Sequence, residues 1–205
     1  MLERTSLIFV NNILKNNKNW KILDIGCGYT ANVHATVIAD VQDFSNFYKE
    51  KKFIKIAEDK LPFKDNEFDF VISSHVIEHV KNFEFFISEL ERISKKGYIE
   101  LPTKLGDNLI FENKTDHIWW FSFDDKDNRL IVSKRNQLIE PFMSVATGKL
   151  FENFFRESFV LELFWQDKID FKFDTTNQYT DVKEISFFRL IKKYFSKRIR
   201  TLFKK

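Results

Sequence analysis

Lys21-Ile22-Leu23-Asp24-Ile25-Gly26-Cys27-Gly28-Tyr29-Thr30 is the stretch whose reading decides the fold. An apolar run ends in an acid and is followed by two glycines one residue apart. A strand buried on both faces of a parallel sheet has this composition, and glycines let the backbone turn sharply and approach a ligand closely. A Gly-x-Gly alone also fits a plain strand-to-loop turn, so the neighbouring segments must carry the reading.

Downstream, Thr36-Val37-Ile38-Ala39-Asp40 reads as a second buried strand ending in an acid, and Phe53 to Ala57 as a third. Phe68 to Ser73 reads as a fourth, and Tyr98 to Leu101, released by Gly97 and stopped by Pro102, as a fifth. Between the last two, Phe83, Phe86, Ile87, Leu90 and Ile93 recur at helical spacing. Upstream, Glu3 to Lys15 fits a short amphipathic helix, and Phe44 to Lys51 fits another. Strands alternating with helices predict an α/β fold built on a mostly parallel sheet. The second half predicts two hairpins, Ile118–Phe123 with Arg129–Ser133 and Phe159–Trp165 with Ile169–Phe173, hence a mixed sheet.

Four features fall at predicted strand ends, where ligands bind in doubly wound sheets. They are the Asp24/Gly26/Gly28 turn, Asp40, the pair Glu58-Asp59, and the run ending in Ser73-Ser74-His75. An acid after the second strand suits ribose hydroxyls, and acids after the third suit an adenine amino group.

On these residues the sequence resembles class I S-adenosylmethionine-dependent methyltransferases of the small "type 11" kind. Ile22 to Gly28 is similar to that family's first motif, Ala57 to Asp69 to its adenine loop and following strand, and Ser73 to Val80 to the turn after strand four. The resemblance spans roughly residues 20 to 102. It implies a Rossmann-like α/β methyltransferase sandwich, to which the sequence pattern itself adds C-terminal antiparallel strands and a basic terminal helix. It implies S-adenosylmethionine as cofactor, bound by Asp24, Gly26, Gly28, Tyr29, Asp40, Glu58, Asp59, Ser74 and His75. A softer likeness, to methyltransferase-like proteins encoded with bacterial surface-polysaccharide genes, rests on a histidine/tryptophan segment after strand five. The sequence departs from the family at Thr30, which replaces a third glycine, and at Ile56, which stands where many relatives carry an acid. Asp40 follows Gly26 by only 14 residues, so the usual helix between them must shrink to a stub or loop over Thr30 to Ala35.

His75, bordering the transferred methyl, and His117, after strand five, are the candidate catalytic residues, since imidazole titrates near neutrality. Trp119 and Trp120 offer faces for a sugar, with core packing as the other reading. His75 to His79 also matches H-x-x-E-H. His75 follows a strand directly instead of sitting mid-helix, and no further ligand stands out, so no metal is expected. Cys27 reads as a small apolar filler.

Composition narrows the rest. A single cysteine among 205 residues excludes an internal disulfide and suits a reducing compartment. No apolar run reaches 18 residues, and the N-terminus lacks a signal pattern. Eight Lys/Arg and no acid lie between Ile185 and Lys205, leaving 25 bases against 30 acids elsewhere. That balance makes a nucleic-acid-binding body unfavourable. Residues 1–183 are read as one methyltransferase-like domain, with core motifs at 20–102, a substrate-side elaboration at 103–157 and a hairpin at 158–174. Residues 184–205 read as a basic amphipathic helix able to meet the body, a second subunit or an anionic membrane.

The expectation is a cytoplasmic enzyme, peripheral at the inner membrane surface where that helix inserts. It would methylate a small-molecule or glycan or lipid-linked acceptor in polysaccharide biosynthesis. A non-catalytic binding or scaffold protein on the same fold is the alternative.

Overall fold

A computed structural model describes residues 1–57, 60–176 and 184–202. Seven strands form the main sheet in the order β1-β9-β6-β5-β2-β3-β4. Its parallel part comprises β2 (Ile22–Ile25), β3 (Val37–Asp40), β4 (Lys52–Lys55), β5 (Phe70–Ser74) and β6 (Lys96–Pro102). The chain runs outward through β3 and β4 on one side of β2, then returns to build β5 and β6 on the other. The switch point therefore lies between β2 and β5, where the strand ends open a crevice.

Alternation along the strands sorts the core. Leu23, Ile25, Val71, Ile99 and Leu101 face α2 (Phe83–Ile93) and a second sheet, while Ile22, Ile38, Phe70, Ile72 and Tyr98 face α1 (Leu7–Asn16). Helix α2 begins where Asn82 accepts the Phe85 amide at 3.2 Å, and it buries the five apolar positions that its spacing predicts. Helix α1 is capped by Ser6 and buries Val10 and Leu14, one turn apart.

The structure corrects several boundaries. Glu3 and Arg4 belong to β1 (Leu2–Arg4), antiparallel to β9 (Val160–Gln166), and the helix starts only at Leu7. Phe44 to Lys51 forms turns, because Phe44 and Phe47 pack edge-on against Tyr29. The first predicted hairpin forms as β7 (Trp119–Asp124) and β8 (Arg129–Lys134). The second does not form: β9 joins the main sheet beside β6, and β10 (Phe171–Phe173) pairs parallel with β8 in a separate three-stranded sheet. Phe83 of α2 fastens that sheet, with its ring 5.0 Å from Phe171 and 6.2 Å from Trp119. Helices α3 (Lys104–Leu109), α4 (Asn113–Asp116) and α5 (Val145–Phe159) lie beyond the end of β6. Helix α6 (Phe187–Leu202) has no buried residue.

Candidate functional site

The turn after β2 is built by the residues that the sequence singles out. Gly26 and Gly28 have φ of +71° and +47°, a region that other residues enter at a cost. A Cβ on Gly26 would lie 2.2 Å from Val76 Cγ2, whereas one on Gly28 would meet nothing within 4 Å. The first glycine is required by packing, and the second stands under open space.

No helix follows. The loop that replaces it is stapled by side chains instead. Tyr48 Oη accepts the Ala31 amide and donates to the Gly28 carbonyl, both at 3.0 Å. Lys51 Nζ donates to the carbonyls of Asn32, Val33 and Ala35. Asp24 Oδ2 accepts the Asn32 amide at 2.7 Å. Burial pushes the Asp24 carboxyl up to about 6, against the pull of that amide and of Lys51. Asp40 accepts the Gly28 amide on one oxygen and the Gln42 amide on the other, at 3.0 and 2.9 Å. Cys27 is buried, and burial pushes its thiol up to about 12, so it is an inert filler.

Two cavities meet at this turn. One, of about 600 Å³, runs from Asp40 and Gln42 past Ile56 and Ala57 to an apolar wall of Val76, Val80 and Phe86. The other, of about 360 Å³, covers Asp24, Gly28 and Ser74 and extends to His117, Lys149 and Glu152. Gly26, His75, His79 and Asp116 line both. These sizes are those of small-molecule sites.

His75 takes a left-handed backbone (φ +54°), fixed by its amide donating to the Glu100 carbonyl at 2.9 Å. Its ring lies between two carboxylates, Nδ1 3.2 Å from Glu78 and Nε2 3.2 Å from Glu100. Burial opposes a charge on this ring, but the bonds to Glu100 and Glu78 outweigh it and push His75 up to about 10. Burial likewise opposes the charge on Glu100, yet His75, Tyr98 and Arg156 bring its carboxyl down to about 2. Both ring nitrogens of His75 are thus engaged by carboxylates, which favour its charged form and leave neither nitrogen free to take a proton from a ligand. Tyr98, Arg156 and Glu162 continue the chain of contacts to the Leu7 amide at the start of α1.

His117 has the reverse arrangement. Its Nδ1 is 2.5 Å from Asp107 Oδ1, and Asp107, fully buried, also accepts from Trp120 Nε1 at 2.6 Å and pairs with Arg135 Nε at 2.8 Å. Asp107 was missed in the sequence because nothing in Gly106-Asp107-Asn108 distinguishes a buried anchor from a turn acid. The ring of His117 packs edge-on to His79 at 4.6 Å.

Other expected residues fall elsewhere. Tyr29 is 68% exposed and turned onto Phe44 and Phe47, and it lines neither cavity. Trp119 and Trp120 are both buried, with their N–H groups donating to the Val80 carbonyl and to Asp107, so neither face is free for a sugar. Glu58 and Asp59 lie outside the described residues.

Residues 23–99 match the family model described as a methyltransferase domain. The chain is 37% identical over 112 residues to an uncharacterized protein of Methanocaldococcus jannaschii, a match covering 48% of this chain and 47% of that protein. It thus spans about half the length of that curated relative. Among solved structures, it is similar to a SAM-dependent methyltransferase from Aquifex aeolicus, with TM-score 0.41 and 16% identity over 76% of this chain and 87% of the other. The PH0226 protein of Pyrococcus horikoshii is similar with TM-score 0.43 and 16% identity, over 80% and 93% of the two chains.

Proposed function

We propose that the methyltransferase domain formed by residues 23–99 binds S-adenosylmethionine, its cofactor, across both cavities and methylates an acceptor in the smaller one. The acceptor is a polar small molecule or a glycan, free or lipid-linked. The observation that carries this reading is the glycine turn: Gly26 lines both cavities and the space above Gly28 is open, so a long ligand can bridge the two.

The residues present fit the cofactor. Each oxygen of Asp40 accepts one backbone amide and keeps a lone pair for a ribose hydroxyl. Ile25, Val76, Val80 and Phe86 give the nucleobase an apolar wall. Asp24 and Ser74 border the other end, where the amino acid portion would lie. When bound, the cofactor supplies a methyl group on a positively charged sulfur, so no protein nucleophile is required. The chain then has to align the acceptor and remove its proton. His117, with Nδ1 directed at Asp107, keeps Nε2 for a proton from the acceptor. His75 fixes Glu78 and Glu100 in the cavity wall and is a positioning residue.

Calorimetric titration with S-adenosylhomocysteine tests this reading. Saturable micromolar binding, weakened about tenfold or more in Asp40→Ala, supports it. No heat at millimolar ligand overturns it in favour of a non-catalytic scaffold.

The reading extends to α6. Phe188, Phe195, Ile199 and Leu202 are exposed along one face, and Lys193, Lys197 and Arg200 lie on the other. Among the described residues no helix is long and apolar enough to cross a membrane. A basic helix with unburied phenylalanines suits an anionic lipid surface, lying in its plane and bringing the cavity to lipid-linked acceptors.

A further inference from the structure

We propose that Glu78, His79 and His117 form a divalent-metal site, of the kind zinc occupies, at the edge of the smaller cavity. One ligand atom from each of the three lies within 4.8 Å of the others. Proximity alone would say little, but three further observations point to an ion.

The first is Glu78, whose side chain is fully buried. Oε1 has His75 Nδ1 at 3.2 Å, while Oε2 is buried with no hydrogen-bond partner. A buried carboxylate oxygen left bare is costly, and buried charges are ordinarily paired or bound to a metal.

The second is the orientation of the two imidazoles. His79 Nδ1 lies 3.0 Å from the Asp116 carbonyl, which can only accept, so that nitrogen carries the proton. His117 Nδ1 lies 2.5 Å from the Asp107 carboxylate and carries its proton for the same reason. In each ring Nε2 is the nitrogen that these contacts leave available to a metal. A carbonyl or carboxylate holding the far nitrogen is how metal-binding histidines are oriented.

The third is rigidity, supplied by parts of the chain that are distant in sequence. The Ile118 amide donates to the Glu78 carbonyl at 2.8 Å, and Trp119 Nε1 donates to the Val80 carbonyl at 2.8 Å. These bonds clamp the short turn Ile77–His79 to the strand leading from His117.

Two nitrogens and one carboxylate oxygen, with a fourth position left over, is the donor set of an open zinc site. Zinc bonds of about 2.0–2.2 Å place ligand atoms roughly 3.3 Å apart, so the cluster must tighten by about 1.5 Å. His79 is exposed and can turn to close that gap. Because His79 and His117 both line the smaller cavity, the fourth position opens into it. An acceptor oxygen placed there would lose its proton more readily next to the cation, and His117 would then serve as ligand instead of base. That consequence rests on the methyl-transfer reading, but the metal site does not.

The test uses full-length protein stripped with a chelator, then titrated with Zn²⁺ by calorimetry and with Co²⁺ by visible absorption. Expected are one equivalent of Zn²⁺ at micromolar affinity or tighter, and cobalt bands of a four- or five-coordinate site. His79→Ala and Glu78→Gln should each weaken Zn²⁺ binding about a hundredfold, while His34→Ala leaves it unchanged. His79 is exposed, so thermal unfolding of His79→Ala should match the parent and exclude misfolding as the cause. Zn²⁺ binding that fails to saturate at one equivalent, or that survives His79→Ala, overturns the proposal. A separate S-adenosylhomocysteine titration of the stripped protein tells failure of the metal site from failure of the cofactor site.

Discussion

Asp107 and His117 are ten residues apart in the chain, and their side chains meet at 2.5 Å, Oδ1 against Nδ1. The other oxygen of the same buried carboxylate holds Arg135 and Trp120. One acid thereby orients the candidate base and neutralises a guanidinium that is only 6% exposed.

Removing that charge should strand Arg135. Asp107→Asn is expected to lower unfolding free energy in urea by about 3–5 kcal/mol. The double variant Asp107→Asn/Arg135→Gln should lose less than the two single losses combined, because the stranded charge is gone. Full additivity in that cycle would show that the pair does not interact.

Asp24 gives the fold a pH dependence whose sign follows from burial. Its carboxyl rises from 3.8 to about 6 in the native state, so between those values the native chain keeps a proton that the unfolded chain has lost. Stability from this group is complete below the lower value and disappears as pH climbs through the upper one, a change of about 3 kcal/mol. Asp24→Asn should flatten that part of the stability-against-pH curve, measured by denaturant titration from pH 4 to 7. Cofactor binding should move the opposite way, weakening below pH 6 as the carboxylate facing the cavity is neutralised.

Tyr48 takes over from the missing helix. Tyr48→Phe deletes the hydroxyl that joins the Ala31 amide to the Gly28 carbonyl and should leave the ring packing intact. We expect a loss of about 1–3 kcal/mol in loop stability, read as faster hydrogen exchange at Ala31, with weaker S-adenosylhomocysteine binding. Unchanged exchange at Ala31 would show that Lys51 and Asp24 hold the loop without the Tyr48 hydroxyl.

Helix α6 should account for lipid binding. Full-length protein is expected to co-sediment with vesicles containing phosphatidylglycerol, and to do so less as salt rises, whereas a chain ending at Glu184 stays in the supernatant. Equal sedimentation of the two, or a dimer that dissociates on truncation, would assign the exposed phenylalanines to another role.

Much of the main sheet was legible because strands buried on both faces are mostly apolar, with polar residues gathered towards the ends that open on the crevice. Ile22–Ile25, Val37–Asp40 and Phe70–Ser74 satisfy that rule without reference to anything else in the chain. Helix α2 was equally plain, since five apolar residues at helical spacing admit one face. Counting residues from Gly26 to Asp40 excluded a full helix there, and the structure has none. Strand β1 could not be read, because three residues become a strand only through Leu2 and Arg4 pairing with Trp165 and Leu163. The same holds for β10, which its nearest neighbour in sequence, β9, does not pair with.

By itself the sequence determined which central segments are buried, where the glycine turn falls and how short the first crossover must be, because periodicity and length are local properties. Only the tertiary structure decided the placing of His75 between two carboxylates, the turning away of Tyr29 and the meeting of Glu78, His79 and His117. Those outcomes depend on which groups from distant segments arrive within a few ångströms, and electrostatics and hydrogen bonding act at that range and not along the chain.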